Sequence, residues 1–189
     1  MRLRLWRWSE FVDWTNGLGT PSERAARAEE RAARAEAVRS RVLRGAPLLP
    51  GLGLGPVRFG MTCAEIGALP GFTAEPDEDG EMAVLTEENA SETLAWFEDG
   101  RLVMLSSREP QWLEAPDGPQ LFPGKMDKVG RLMSALGLEA TEGKEGHREA
   151  FGITTFGGCL AVHDHLWNVE EVAWWDPKRK DVELPFYGA

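Results

Sequence analysis

The sequence predicts an α+β protein: two helix-plus-antiparallel-strand repeats that form a sheet with helices packed on one face, preceded by a long N-terminal helix. Three observations lead to this prediction. A capped helix signature runs from Thr20 to Gly45, a hairpin signal stands at Asp99-Gly100, and a helix-then-strands pattern recurs along the chain. Helices combined with hairpin-connected strands, without a parallel βαβ series, are typical of α+β domains.

The length of 189 residues is enough for one domain with a hydrophobic core plus an extension. We therefore divide the chain into an N-terminal arm with its helix, a body of two repeats, and a tail. The predicted ranges are 1–49 for the arm and helix, 50–180 for the body with repeats at 50–110 and 120–177, and 181–189 for the tail.

The first eighteen residues are rich in Trp, Phe and Arg, and two interpretations remain open. The arm either packs onto the body or binds a membrane surface or a partner.

The helix that follows begins at Thr20 as N-cap, with Pro21 in its first position and Glu23 completing a capping box. The unit ERAARAE occurs twice in tandem, but its apolar positions are all alanine. We expect an exposed helix, and a monomer or a dimer through this helix stays open.

The stretch GPVRFGMT at 55–62 resembles a phosphate-binding loop, but Met61 stands where the lysine is required. Pro56 removes a backbone amide that such a loop uses. Thr62 and Glu65 instead form the T-x-x-E pattern of a capped helix start. We therefore predict a strand, a turn and a helix here, with no nucleotide and no cofactor.

Similar patterns recur further along the body. FGMTCAEIGAL at 59–69 aligns with FPGKMDKVGRL at 122–132, and each is followed by strand, turn and strand. The Gly- and Pro-rich residues 45–56 are predicted to be a linker or a domain boundary, and the proline-rich residues 105–125 a loop.

These motifs also carry a family resemblance. LGPVRFGMTCAEIGAL resembles the G-M-T-x-x-E helix opening of the SmpA/OmlA outer-membrane assembly lipoproteins and the β-lactamase inhibitor proteins, and WFEDGRLVML looks like their aromatic-x-x-G-R-L hairpin. The resemblance covers roughly residues 51–177, and it implies a protein-binding scaffold built of tandem helix–hairpin repeats. Residues 1–50 have no counterpart in that pattern, and no lipobox Cys begins the chain, so an outer-membrane role is not carried over.

The net charge of −10 is unevenly distributed. Residues 1–44 hold ten Arg against six acids, which gives +4, whereas residues 45–189 hold eleven bases against twenty-five acids, which gives −14. An acidic body argues against nucleic acid as a ligand, because phosphate contacts require Lys and Arg. An acidic body suits a basic partner protein, or solubility alone.

No apolar run reaches the roughly 18 residues of a membrane span. The start of the chain lacks a leader pattern, so we expect a cytoplasmic location.

Few residues suggest chemistry. Cys159, His163 and His165 share a face if they lie on one strand, which leaves a metal site as an alternative, although the spacing matches no standard motif. The competing interpretation puts His163-Asp164-His165 in a hairpin turn. Cys63 opens a predicted helix, where a thiol is either reactive or simply packed. We expect no enzyme, since no carboxylate pair or nucleophile signature is present.

The remaining signal is aromatic and acidic. Trp174 and Trp175 are adjacent, so on a strand their side chains must point to opposite faces. Exposed Trp and Arg are enriched at interface hot spots. We therefore predict a protein-binding module that inhibits or neutralises another protein, a bacterial immunity protein in its most specific form. The predicted contact residues are Trp96, Arg101, Trp112, Trp167, Trp175, Glu87, Glu88, Asp99, Glu170 and Glu171.

Overall fold

The structure is a computed structural model of the chain. The part of the chain that it describes comprises residues 19–87, 92–109, 111–115, 117–122, 125–145, 151–165 and 168–179, with residues 141–145, 151–152, 165 and 168 described through their backbone. The chain divides into two compact units, Met1–Ser40 and Arg41–Ala189. Residues 41–49 therefore belong to the same unit as the body.

The fold is mixed α+β, with a large antiparallel sheet and a long N-terminal helix. The helices within the described residues are α1 (Pro21–Val42), α2 (Cys63–Gly67) and α3 (Met126–Ala135). The strands are β1 (Leu48–Leu49), β2 (Gly53–Leu54), β3 (Val57–Arg58), β4 (Phe72–Pro76), β5 (Met82–Glu87), β6 (Glu92–Glu98), β7 (Arg101–Ser107), β8 (Gln111–Ala115), β9 (Gly118–Phe122), β10 (Ala140–Glu145), β11 (Phe151–Phe156), β12 (Leu160–His165) and β13 (Asn168–Trp175).

The N-terminal helix α1 is confirmed, and so is its start. The Thr20 amide donates to the Glu23 carboxylate at 2.7 Å, while the Glu23 amide donates to the Thr20 hydroxyl at 3.2 Å, which is a capping box. The helix is exposed from residue 21 to residue 37 and buries Val42 near its end. Alanine offers little apolar area to bury, so intrinsic propensity stabilises this helix more than packing does.

The main sheet has eight strands in the order β10-β11-β12-β13-β7-β6-β5-β4, and each neighbouring pair is antiparallel. The hairpin predicted at Asp99-Gly100 is confirmed as the turn between β6 and β7. Both turn residues have positive φ, 50° and 70°, as the tight turns favoured in hairpins require. The two edges of the sheet are β4, which ends at Pro76, and β10, which contains a register shift between Thr141 and Gly143.

One face of the sheet, called here the first face, carries the main core. Leu105 and Trp174 from the central strands share one buried cluster with Ile66 of α2 and with Val129 and Met133 of α3. Helix α2 begins as predicted, since Thr62 and Glu65 form a complete capping box. Burying an aliphatic or aromatic side chain contributes about 1.5–3 kcal/mol each, so this cluster dominates the stability of the body.

Residues 45–56 are not a linker, which corrects the prediction, because they and Val57–Arg58 lie in one compact unit with the rest of the body. They form a three-stranded antiparallel sheet, β1-β2-β3, and contribute Leu48, Leu54 and Val57 to the main core. The glycines that suggested a linker permit the tight turns between two-residue strands. Gly53, for example, has a φ of 143°, which only glycine adopts readily.

The loop predicted at 105–125 is also wrong. β7 continues to Ser107, and strands β8 and β9 then form a separate two-stranded sheet that buries Leu113 and Phe122 in the main core. The prediction took the prolines as loop signals, but proline is also tolerated in a strand that has a free edge. Pro119 lies in β9 opposite Glu114, in a ladder of only two strands.

Candidate functional site

The opposite side of the main sheet, called here the second face, has a separate apolar cluster. It consists of Met104, Ala161, Ala173 and Trp175, with Trp96, Val103 and Ile153 packed against them. Trp174 belongs to the main core and Trp175 to this cluster, so the prediction that the two indoles point to opposite faces is confirmed.

The strand register explains how three large side chains come together here. Met104 on β7 pairs with Trp96 on β6 and with Trp175 on β13. The three therefore form a row across adjacent strands, each about 4.8 Å from the next. Met104 and Trp175 are each only 6 % exposed, whereas Trp96 is half-buried. This row therefore brings two indoles and a thioether together on the second face.

A polar group of residues lies further along the same strands, four residues from Trp175 on β13 and two residues from Met104 on β7. Glu171 is 4 % exposed, and its carboxylate accepts a hydrogen bond from the Ser106 hydroxyl at 3.1 Å and from Arg108 Nε at 3.0 Å. His163 on β12 is the cross-strand partner of Glu171. A buried carboxylate is tolerated only when it is paired in this way. Because 68 % of the Arg108 side chain remains exposed, its guanidinium is also accessible to other groups.

The described residues of the second cluster all come from strands β6, β7, β11, β12 and β13. Neither α2 and α3 nor the small sheets β1–β3 and β8–β9 contribute to it within the described part of the chain. The second face is therefore the sheet surface on which these elements do not pack.

The predicted contact residues fall into two groups. Trp96 and Trp175 belong to the second cluster, Glu171 lies further along the second face on β13, and the exposed Glu170 neighbours Glu171. Asp99 forms the exposed hairpin turn. Trp167 and Glu88 lie outside the described residues.

Two predicted contact residues are engaged elsewhere in the body. Arg101 Nη1 donates to the Gly60 carbonyl at 3.1 Å and lies 3.5 Å from the Glu65 carboxylate, while most of its side chain stays exposed. Trp112 Nε1 donates to the Gly45 carbonyl at 2.7 Å. These bonds connect separate chain segments, and neither residue belongs to the second cluster.

Glu87, also a predicted contact, is hydrogen-bonded to the segment that follows α1. Both of its carboxylate oxygens accept from the Ala46 amide, at 2.9 and 3.0 Å. Burial raises the pKa of Glu87 above its ordinary value, although the Ala46 bond acts in the opposite direction. The folded protein therefore holds this proton more tightly than the unfolded chain does.

This shift has a testable consequence for stability against pH. With the folded pKa raised, stability linked to Glu87 is present below the ordinary carboxyl pKa of about 4.3 and is lost as the pH rises through the raised value. Urea unfolding between pH 4 and 7 should show that Glu87→Gln removes this decrease in the free energy of unfolding with rising pH.

Glu65 supplies the matched control. Hydrogen bonds from the Thr62 amide and hydroxyl lower its pKa, so its contribution is instead lost as the pH falls through the lowered value. Glu65→Gln should therefore change the slope of the free energy of unfolding against pH in the opposite direction to Glu87→Gln. Slopes of the same sign would contradict the assignment.

The metal alternative involves residues near β12. Cys159 is buried just before this strand, with its Sγ 4.0 Å from the Phe156 carbonyl oxygen, and His163 lies on the strand. The turn predicted at His163-Asp164-His165 is wrong, because these residues pair with β11 and β13. Among the described residues, no group of three His, Cys, Asp or Glu side chains is placed to hold a metal ion. The side chain of His165 is outside that set, so the alternative stays a prediction for metal analysis to decide.

The two thiols should differ in reactivity. Burial raises the pKa of both Cys63 and Cys159, which disfavours the reactive thiolate, and Cys159 is only 4 % exposed. We expect a thiol reagent to modify half-buried Cys63 first and to reach Cys159 only on unfolding. In Cys63→Ser, the native protein should stay unlabelled while the urea-unfolded chain takes one label; fast native labelling of that variant would contradict the burial of Cys159.

Sequence reasoning missed Met104, Ser106 and Arg108. The hairpin turn pairs Glu98 with Arg101 and Phe97 with Leu102, which would place Val103 opposite Trp96. A bulge shifts the register by one residue and puts Met104 there instead. Alternation along RLVMLSSR was the only available signal, and it cannot locate a bulge.

No protein-family model, curated protein or solved structure matches this chain. The resemblance to the lipoproteins and inhibitor proteins therefore stays a prediction based on its two motifs. Within the described residues, no helix has both the length and the apolar character needed to cross a membrane.

Proposed function

We propose that the chain is a cytoplasmic protein-binding module that inhibits or neutralises a partner protein, most specifically a bacterial immunity protein acting against a toxin. The observation that carries this proposal is the second apolar cluster. The second face has Trp96, Met104 and Trp175 in a row, which are residue types that interface cores favour, and Trp96 is the most exposed of the three.

The arrangement of the strands supports a duplicated scaffold. Helix α2 is followed by β4 to β7, and α3 by β10 to β13. The last strands of the two sets, β7 and β13, pair at the centre of the sheet, and the order of strands outward from that pair is the same on both sides. Two repeats joined in this way provide one continuous second face, wide enough for a protein partner.

The polar residues further along the second face suggest the character of the partner. Residues 45–189 have a net charge of −14, and Glu170 is exposed beside the Glu171–Arg108 pair. Acidic groups around an apolar centre favour a basic partner, because complementary charge steers association and selects among partners. A basic enzyme such as a nuclease toxin fits this surface.

The proposal is tested by co-expression with the toxin-like product of a neighbouring gene in the native host. We expect the chain to restore growth and to bind the toxin stoichiometrically. Trp96→Asp should abolish both effects, since a charge on the half-buried edge of the row opposes desolvation. Hot-spot losses of about 2 kcal/mol or more correspond to roughly thirtyfold weaker binding.

Leu52→Asp is the matched control. Leu52 is 58 % exposed and lies in the turn between β1 and β2, outside the second cluster. Leu52→Asp makes the same apolar-to-acid change, and this variant should still bind the toxin fully and restore growth. Equal behaviour of the two variants, with both folded by circular dichroism, would refute the second face as the docking surface.

The exposure of α1 supports a second candidate, assembly through this helix. Its alanine-rich surface is exposed from residue 21 to residue 37. Sedimentation should compare the full chain with one that begins at Arg41, since the core residue Leu48 has to be retained. A dimer that becomes a monomer on truncation would support assembly, and monomers in both cases would exclude it.

A further inference from the structure

Glu171 is a predicted contact residue, but its position prevents a direct contact with a partner. It is 4 % exposed, and its two carboxylate oxygens accept from the Ser106 hydroxyl at 3.1 Å and from Arg108 Nε at 3.0 Å. A group with so little exposed surface cannot contact another protein by itself. If Glu171 contributes to binding, it does so through the groups that it holds.

Arg108 is the exposed member of this group. Its Nε is bonded to Glu171, yet 68 % of its side chain is exposed, and within the described residues no hydrogen bond holds either of its Nη atoms. A guanidinium presents five N–H donors in a planar fork, so a bond at Nε leaves the two Nη groups able to bind one further group. The buried carboxylate also fixes the orientation of the plane, which reduces the side-chain freedom lost on binding.

Arg108 lies close enough to the aromatic row to share one interface with it. On β13, Glu171 and Trp175 are four residues apart and therefore lie on the same face of the sheet. Four residues along a strand span about 13 Å, whereas an interface of standard size covers about 800 Å² of each protein. A partner that docks on Trp96 is large enough to cover Arg108 as well.

The charges around Arg108 determine which group it can accept. Residues 45–189 have a net charge of −14, and the exposed acids Glu109 and Glu170 adjoin the pair in sequence. Such a surface repels a polyanion such as nucleic acid. A uniformly basic protein, in turn, would place one of its own cations against Arg108, and like charges in contact oppose binding. The fitting group is a single carboxylate within an otherwise basic surface, to which the two Nη groups can donate in parallel.

We propose that Arg108 binds an Asp or Glu carboxylate of the partner protein, and that Glu171 is a positioning residue that holds the guanidinium for this contact. The inference rests on the proposed function and names the chemistry that the partner carries at this point. Basic proteins without a carboxylate there are rejected, because the arginine would lose water without gaining a partner. Arg108 therefore selects among basic proteins, whereas Trp96 provides apolar contact area.

Arg108→Gln tests the contact with the toxin used above. The Gln amide can still donate to the buried Glu171, so the fold should persist, but it has neither the charge nor the fork that a carboxylate needs. We expect binding at least about tenfold weaker, as for an arginine at a hot spot. Arg131→Gln is the matched control, since it makes the same change on an exposed side chain of α3 that pairs with Asp127. Equal affinities for the two folded variants would overturn the proposal.

A double-mutant cycle tests the positioning role of Glu171. Glu171→Gln should weaken toxin binding in the parent chain and have no further effect in Arg108→Gln, because it acts through the arginine. A merely structural role predicts the same loss in both backgrounds, and that result would refute the positioning role.

Cross-linking identifies the group that Arg108 meets. Arg108→Lys combined with Glu171→Gln places an amine at position 108 and removes the carboxylate bonded there. A carbodiimide should then join this amine to an Asp or Glu side chain of the bound toxin as an amide, which peptide mass spectrometry locates. The parent chain, with no amine at position 108, is the control. A complex that forms but gives no such cross-link would overturn the carboxylate assignment.

The outcomes separate this inference from the proposed function. A toxin that does not bind the parent chain contradicts both. A toxin that binds the parent chain and loses affinity for Trp96→Asp, but not for Arg108→Gln, contradicts this inference alone.

Discussion

Trp174→Ala is expected to lower the free energy of unfolding by about 3–5 kcal/mol, the range for truncating a buried aromatic side chain. Trp174 is fully buried in the main core, and its Nε1 donates to the Gly53 carbonyl at 2.9 Å. Removing the indole leaves a cavity under the sheet and deprives the β1–β3 sheet of a bond to β13. Urea unfolding followed by far-UV circular dichroism measures the loss.

Trp174→Phe separates packing from hydrogen bonding. It keeps an aromatic ring in the core and removes the donor to Gly53, so we expect a loss of about 1–3 kcal/mol, as for a buried acceptor left without its partner. If Trp174→Phe lowered the free energy of unfolding as much as Trp174→Ala, the lost hydrogen bond rather than the lost side-chain volume would account for the effect. A loss below about 1 kcal/mol for Ala would contradict the central position of Trp174 in the core.

Gly53→Ala is expected to destabilise the body by about 3 kcal/mol, because strain and overlap act together. Gly53 has a φ of 143°, a conformation that residues with a Cβ rarely adopt. An added Cβ would overlap the Val57 carbonyl oxygen across the β2–β3 pair and lie 3.0 Å from its carbonyl carbon. Both atoms belong to the backbone, so the clash is relieved only by moving β3.

Gly60→Ala is the matched control for this substitution. Gly60 also has a positive φ, 88°, but a Cβ there would meet no atom within 4 Å. It should cost about 1–2 kcal/mol, the penalty for a left-handed conformation alone. Thermal or urea unfolding of both variants separates the two contributions. Similar losses would show that Val57 shifts aside easily and that the contact is not tight.

The elements that sequence reasoning predicted well are those with local signals. Capping boxes at Thr20 and Thr62 mark helix starts through bonds between residues three apart. The Asp99-Gly100 turn needs positive φ at both residues, which the pair tolerates. Each signal depends on chemistry within four residues, so a single sequence contains it in full.

The features that were missed depend on distant partners. β1, β2 and β3 have two residues each, too few to show alternation, and they are stabilised by contacts such as the Trp174 bond to Gly53 across 121 positions. Pro119 is acceptable only because β8 and β9 form a two-stranded sheet. Glycine and proline content alone predicted loops in both places.

For the candidate site, the sequence identified the aromatic side chains but not their grouping. Trp96 and Trp175 were predicted contacts, whereas Met104, which joins them, depends on a bulge that only the paired strands reveal. Trp112 and Glu87 looked equally suitable as exposed contacts, yet each bonds to backbone near Gly45 and Ala46. Residue type indicates what a side chain can contact, and the fold decides which partner it meets.

The two edges of the main sheet bear on behaviour at high concentration. Unpaired strand edges invite pairing between molecules and hence aggregation. Pro76 in β4 has no N–H to offer a neighbouring chain, and the register shift between Thr141 and Gly143 interrupts the ladder along β10. Both ends of an eight-stranded sheet are thus poor templates for fibre growth, which allows a wide sheet to be kept without closing it into a barrel.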